Sequence, residues 1–406
     1  MKKVLIVAYK FPPMGNVGTR RWAKFSKYLA LSGYEVFVLA RKYPYNDLVN
    51  WNHDVKHENI KISYFEDSYP TKCLKTNKTF LEKVFCKVVA IFRNKILNKL
   101  DIADNNSNDF FEKANILIRE NSINNLIVTG PPHSFLYSAA ILKSENPFLN
   151  LIVDYRDPWN YNLTYTLKTL SSFKAKELSL KKETEVIKLS NQILCVTEDM
   201  TKNLQNLYPE SANKINTIYN GYDVDDYSTT VSTNSKDEVI VLYAGRVAQS
   251  RMKALELIAE TLEKNSFSNL KIVLYSNINL NKFSNSKYYK TIEKYFEFNA
   301  LVSQSEIYNK ISQCDICLSI NSLDNSHAFG SKIFDYMALK KTIWHISDGG
   351  ELFELLENNN QIVSNYTIES TIKAIEQIQK NTKGFAVDFE EFTIKKLTQD
   401  IEKLLK

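Results

Sequence analysis

Short runs of aliphatic and β-branched residues recur along this chain, each followed by a segment with helical spacing, and that alternation admits few folds. In the first half the runs are VLIVAY (4–9), YEVFVLA (34–40), IKISYF ending at Phe65, NLIVTG (125–130), NLIVDY (150–155) and QILCVTE (192–198). In the second they are VIVLYAG (239–245), LKIVLY (270–275), ICLSIN (316–321) and TIWHIS (342–347). Nearly continuous apolar strands separated by helices are what parallel sheets covered on both faces require. The expected class is therefore α/β, with two Rossmann-like domains in series. At 406 residues the chain is too long for one core and suits two domains of ordinary size. The polar stretch from Ser228 to Asp237, rich in Ser, Thr and Asn, reads as a linker. The expected boundaries are an N-terminal domain over 1–222, a linker over 223–237 and a C-terminal domain over 238–387. A last amphipathic helix, from about Glu390 to Leu405 within 388–406, is expected to return to the N-terminal domain.

Composition narrows the function. Apolar content of 44% and charged content of 24% describe a globular protein rather than a disordered one. A net charge of +6 is too mild to imply nucleic acid. The start, Met1-Lys2-Lys3 followed by VLIVAY, superficially suggests a signal peptide, but the apolar run is short and enters a Phe-Pro-Pro turn with no cleavage site. It reads as a first strand, and a cytoplasmic location is expected. No run approaches the roughly 18 apolar residues of a membrane span. Five cysteines, sparse and odd in number, fit a reducing compartment. Cys314 and Cys317 form a CxxC without a second pair to complete a zinc site, so they read as buried strand residues.

Five motifs carry chemistry, all at strand ends where ligands of such sheets bind. After the first strand comes Phe11-Pro12-Pro13-Met14-Gly15-Asn16-Val17-Gly18, a glycine-bearing turn opening a helix whose N–H groups and positive dipole end suit a phosphate. Its spacing is not GxGxxG, and Arg41 and Lys42 follow the second strand where an acid would bind NAD ribose. His133, in VTGPPHS, lies at a helix start where it could meet a sugar hydroxyl. Arg156 stands between Asp154 and Asp157, either as a fixed ion-pair network or as a clamp on a hydroxylated substrate, with Asp157 beside it. In the second half, Arg246, Arg251 and Lys253 gather cations near the Gly245 turn, which suits a diphosphate, although a solvated basic helix face would show the same pattern. Gly330 and Ser331 open another helix, Lys332 adds charge beside it, and Asp335 returns to the same face one turn later, where it could hold ribose. Asp348-Gly349-Gly350 supplies a second glycine turn that could touch the sugar. Asp223-Val224-Asp225 matches a DxD metal motif formally but follows Asn-Gly in what reads as a hinge segment.

In their order, FPPMGNVGTRR, VTGPPHS, VDYRDPW, NGYD (220–223), AGR (244–246) and GSKIFDYMALKK with the following DGGEL resemble the family 4 glycosyltransferases of the GT-B fold. The resemblance is nearest to the bacterial surface-polysaccharide enzymes of capsule and O-antigen synthesis. It implies two domains facing a central cleft and retaining transfer from a UDP- or GDP-sugar, with no metal and no tightly bound cofactor. It also implies catalytic roles for His133, Arg246 and Lys332. Donor-binding roles fall to Gly15, Asn16, Gly18, Arg251, Lys253, Gly330, Ser331, Asp335 and Gly349. Arg156, Asp157 and His327 would contact substrate. Asp335 matches the second acid of the family's Glu-x7-Glu pattern, and His327 stands near the place of the first. Two other readings share the architecture: a UDP-sugar 2-epimerase, and a transferase-like partner subunit without activity.

Eight Lys or Arg residues between Lys72 and Lys99 (72, 75, 78, 83, 87, 93, 95, 99) face a single acid, Glu82. Leu81, Val84, Phe85, Val88 and Phe92 recur among them at helical spacing. A basic amphipathic helix of this kind is expected to lie on a membrane surface, here the inner face of the cell membrane, which suits a lipid-linked saccharide acceptor. Were the apolar side merely core, the sequence would read the same.

Overall fold

A computed structural model describes the chain apart from residues 1, 16, 46–50, 76–77, 94–100, 105–106, 162–172, 228–237, 266, 268, 323–328 and 381–388, and the side chains of 17, 107, 108, 173 and 174. The expected Asn16 and His327 contacts and the 228–237 linker lie outside the described residues. The chain divides into two compact units, Met1–Asn220 with Ile394–Lys406, and Gly221–Thr393.

The first unit is built on a seven-stranded parallel sheet of β1 (Lys3–Ala8), β2 (Glu35–Arg41), β3 (Ile60–Phe65), β4 (Asn125–Gly130), β5 (Asn150–Tyr155), β6 (Gln192–Cys195) and β7 (Ile215–Thr217), in the order β3-β2-β1-β4-β5-β6-β7. Successive strand residues point to opposite faces. Val4, Ile6 and Ala8 pack with Trp22, Phe25 and Leu29 of the helix Val17–Leu31, while Leu5 and Val7 pack with Phe110, Phe135 and Leu136 on the other face. The helix Val17–Leu31 ends where Gly33 takes φ +88° and Tyr34 N–H returns to the Leu29 carbonyl, a glycine-dependent C-cap. The last helix, Ile394–Leu404, buries Ile394, Leu397 and Ile401 in the same core as Trp22. Its end is held by Asn125, which bonds both the amide and the carbonyl of Lys406. This helix starts four residues later than its sequence pattern suggests. Glu390–Phe392 forms a separate 3-10 turn, and Thr393 is extended.

The second unit carries a six-stranded parallel sheet of β8 (Val239–Ala244), β9 (Leu270–Tyr275), β10 (Phe296–Asn299), β11 (Ile316–Ile320), β12 (Thr342–Ile346) and β13 (Ile362–Ser364), in the order β10-β9-β8-β11-β12-β13. Tyr243, Leu274, Leu318 and Trp344 line one face with Ile258 and Ile375 from covering helices. Each sheet reverses direction of winding once, between β1 and β4 and between β8 and β11. Those are the switch points where the carboxyl ends of neighbouring strands leave a crevice.

Candidate functional site

At the switch point of the first unit, Arg156 ties two loops together. Its Nη1 donates to the Gly18 carbonyl, Nη2 to Pro131 O at 2.6 Å and Nε to Gly130 O at 3.3 Å. Of the two readings of Arg156, the ion-pair network with its flanking aspartates is not what forms, since its bonds go to backbone carbonyls. Asp154, fully buried, is held instead by Arg21 at 2.9 Å, by Trp22 Nε1 at 2.7 Å and by Thr129 Oγ1 at 2.7 Å. Together these bonds fix the loops after β1, β4 and β5 against one another. Gly130 leaves little room for a side chain, since an added Cβ would lie 3.1 Å from Leu136 Cδ1 and 3.2 Å from His133 Cδ2 and would make them shift. Gly15 is buried in the β1 turn, and Gly18 already sits in the first turn of the helix Val17–Leu31.

His133 opens the helix His133–Glu145. Its ring stacks on Trp159 at 5.2 Å between centroids and 11° between planes, and its Nε2 lies 3.1 Å from the Asp157 carbonyl oxygen. Burial holds its pKa below the ordinary imidazole value, so the ring is neutral near pH 7. With Nε2–H donating to Asp157 O, the Nδ1 lone pair is the acceptor the ring can offer. The Asp157 side chain is exposed, and its backbone rather than its carboxylate joins the site. Sequence reasoning missed Asp101, whose carboxylate accepts from Ser134 N at 2.8 Å and Ser134 Oγ at 2.7 Å and so caps this helix from 33 residues away. It also missed Glu183, buried beside Asn160 and Tyr208, whose carboxyl is raised by burial to about 7.

The switch point of the second unit is differently built. The β8–β11 pairing covers Ile316↔Val241 and Cys317↔Leu242 and stops there. Beyond it the Tyr336 hydroxyl accepts from Ala244 N at 3.2 Å and donates to Leu318 O at 3.4 Å, filling the gap between the splayed strands. Gly330, which has no side chain to cap with, is the N-cap of the helix Ser331–Ala338. Lys332, in that first turn, lays its ammonium 4.0 Å from the centroid of the Tyr243 ring. It also presses on Gly245, where φ is +119° and a Cβ would stand 2.7 Å from Nζ. Arg251 reaches the same place, 3.5 Å from Tyr243 Oη and 3.4 Å from Arg246 O. Among the described residues no carboxylate or carbonyl accepts from Lys332. Burial, with Arg251 adding repulsion, brings its pKa down to about 7.

The remaining expected residues divide around this pair. Asp335 does return to the Lys332 face, but its Oδ1 accepts from Tyr227 Oη at 2.7 Å and Tyr308 Oη at 3.4 Å. Ser331 is half-buried beside Lys332. The Arg246 side chain is exposed, and only its backbone carbonyl joins the cluster. Lys253 is exposed on the helix Gln249–Lys264, whose turn brings Arg251 inward and carries Lys253 away. At Gly349, where φ is +103°, an added Cβ would meet nothing within 4 Å, so open space lies at the end of β12. Among the described residues, neither candidate metal motif gathers further ligands. Asp223 caps the 3-10 turn Val224–Asp226 by accepting from Asp225 N at 3.1 Å. Cys314 and Cys317 are buried with Sγ atoms 3.6 Å apart, and burial drives the Cys317 thiol well above its ordinary pKa, away from the thiolate a metal needs. Of the five cysteines, whose sparse and odd number fits a reducing compartment, Cys73 and Cys86 nonetheless form a disulfide.

No family model and no curated protein matches the sequence. Solved structures do share the fold over the whole chain. A glycosyltransferase from Rickettsia africae is 14% identical with a TM-score of 0.60, covering 100% of this chain and 98% of its own. The catalytic domain of starch synthase IV from Arabidopsis thaliana, bound to ADP and acarbose, is 13% identical with a TM-score of 0.61 and the same coverage. A UDP-GlcNAc 2-epimerase from Methanocaldococcus jannaschii is 16% identical with a TM-score of 0.52, covering 100% and 99%. The two Rossmann-like units are thus those of the GT-B fold.

Proposed function

We propose that the chain is a retaining glycosyltransferase that moves a hexosyl group from a UDP- or GDP-sugar to a lipid-linked or polysaccharide acceptor of the bacterial surface, as in capsule or O-antigen synthesis. The observation that carries this reading is the cation pair at the β8–β11 crevice. Lys332 and Arg251 lie beside a glycine turn and a helix start whose N-cap is a glycine, and among the described residues Lys332 has no counter-charge bonded to it. Burying an ammonium lowers its pKa because the charged form loses hydration, and a bound anion restores it. A nucleoside diphosphate fits that demand. When the bond from the sugar anomeric carbon to the diphosphate breaks, negative charge grows on the leaving oxygen. Preorganised cations and N–H dipoles at that point stabilise the transition state more than the ground state.

In this reading Lys332, Arg251, Arg246 and the Gly330–Ser331 amides hold the diphosphate without a metal, and Gly349 leaves room for the sugar. Asp335 takes a ribose hydroxyl, which replaces the Tyr227 phenol on its carboxylate. In the first unit, neutral His133 accepts from a sugar hydroxyl through Nδ1, while Arg156 shapes the loops. The Gly15–Gly18 turn, with Asn16, and His327 remain assigned to donor and substrate by sequence resemblance.

The likeness to an archaeal 2-epimerase supports a second reading, isomerisation of the sugar on the nucleotide. Incubation with UDP- and GDP-sugars, followed by nuclear magnetic resonance of the products, separates them. Slow release of nucleoside diphosphate supports transfer. An isomerised sugar still on its nucleotide supports the epimerase. Neither product, with nucleotide binding absent, leaves a partner subunit.

A further inference from the structure

The helix Phe80–Ile91 is built the wrong way round for a soluble protein. No residue in it is buried, and Phe80 and Leu81 are each 78% exposed. Val84, Phe85, Val88 and Ile91 are exposed as well. At about 100° per residue these six side chains share an arc of about 140°. Glu82, Cys86 and Val89, the helix residues that are not exposed, lie on the opposite side. The helix therefore turns Glu82, Cys86 and Val89 toward the protein and its apolar arc to solvent, the reverse of an ordinary surface helix.

Its attachment explains how that orientation survives. Cys86 is bridged to Cys73 in the 3-10 turn Thr71–Leu74, and Glu82 pairs with Lys75 at 2.7 Å. Thr79 and Glu82 complete a capping box at the start of the helix. These ties use the polar side and leave the apolar arc outward. Within the same helix Lys87 is exposed about 20° beyond the edge of the arc and Lys83 about 60° beyond it, and Lys72 is exposed in the turn before it.

We propose that this helix is a docking face for an anionic lipid surface, with the apolar arc immersed at the acyl boundary and Lys72, Lys83 and Lys87 at the headgroups. The occupant is chosen by charge complementarity. An apolar face bordered by lysines matches a surface that is greasy within and negative at its rim. A second copy of this chain would bring the same lysines against each other. The proposal does not rest on sugar transfer, because lipid binding is read without donor or acceptor.

The test is co-sedimentation of the full chain with vesicles of phosphatidylcholine alone and with about 30% phosphatidylglycerol. The expected result is binding at least about tenfold tighter to the anionic vesicles, weakened by salt. Leu81→Ser with Val88→Ser should abolish it, and Lys83→Glu with Lys87→Glu should remove the anionic preference. Both pairs are exposed, so the thermal midpoint should hold, and nucleotide binding serves as a check on fold. Equal binding to both vesicle types, or vesicle binding unchanged by either pair, overturns the proposal. So does a concentration-dependent dimer in sedimentation velocity that Leu81→Ser and Val88→Ser dissolve, if vesicles are not bound.

Discussion

The two sheets use the same strand order around their switch points and dress them in opposite ways. In the first unit the crevice residue Arg156 donates to three backbone carbonyls, and the neighbouring carboxylate Asp154 is saturated by Arg21, Trp22 and Thr129. In the second the strands part after two paired registers, and the cation there, Lys332, rests on an aromatic ring and a glycine. A satisfied charge holds loops in place. An unsatisfied one, kept partly desolvated, is ready for a ligand. A cation near a switch point can thus be scaffold or site, and only its partners tell which.

If that contrast is right, removing each charge should fail differently. Lys332→Ala should lower turnover with a nucleotide sugar by about 10²–10³-fold, the range for losing one transition-state contact, with little change in thermal midpoint. Asp154→Ala should act on stability instead. It strands the buried Arg21 guanidinium and should cost about 3–5 kcal/mol in denaturant unfolding, so an unchanged midpoint would break the comparison from its other side.

How much of this was legible in the sequence follows from distance along the chain. β4, β5 and β9 occupy the very residues of NLIVTG, NLIVDY and LKIVLY, because a strand buried on both faces is a continuous apolar run. β7, β10 and β13 leave no such trace. Each is an edge strand of three or four residues, too short to show a period. QILCVTE ends as a strand at Cys195 because Thr197 turns to cap the next helix through Met200 N. Lys332 and Asp335 could be paired by helical spacing alone. The Arg21–Asp154 pair could not, since 133 residues separate its members, and the Asp-Arg-Asp triplet offered Arg156 as the nearer candidate. Nor did spacing reveal that Lys253 turns away from the crevice while Arg251 enters it.

Two smaller effects sharpen the contrast. Gly245→Ala places a Cβ on the Lys332 ammonium and a side chain at φ +119°. Backbone strain of about 1–3 kcal/mol is expected, together with a loss of nucleotide affinity of about tenfold, while a matching thermal shift with no loss of affinity would separate the turn from the site. Glu183 gives the first unit a pH signature. Its carboxyl titrates near 7 when folded against 4.5 as the reference value. Between those pH values the native state holds more proton than the unfolded one, so stability falls as pH rises. Glu183→Gln should remove that slope, raising the thermal midpoint at pH 8 by about a few degrees and leaving it unchanged at pH 5.

The most direct test of the central claim is calorimetric titration of UDP and GDP into the wild type and Lys332→Ala between pH 7 and 9. With the Lys332 pKa near 7, a diphosphate must draw a proton onto the neutral amine as pH rises. Wild-type affinity for whichever nucleotide binds should therefore fall by up to about tenfold per pH unit, and Lys332→Ala should bind at least about a hundredfold more weakly at pH 7 with no such slope. Equal affinity in the two proteins, or a wild-type affinity indifferent to pH, would contradict the assignment of Lys332 as the diphosphate cation.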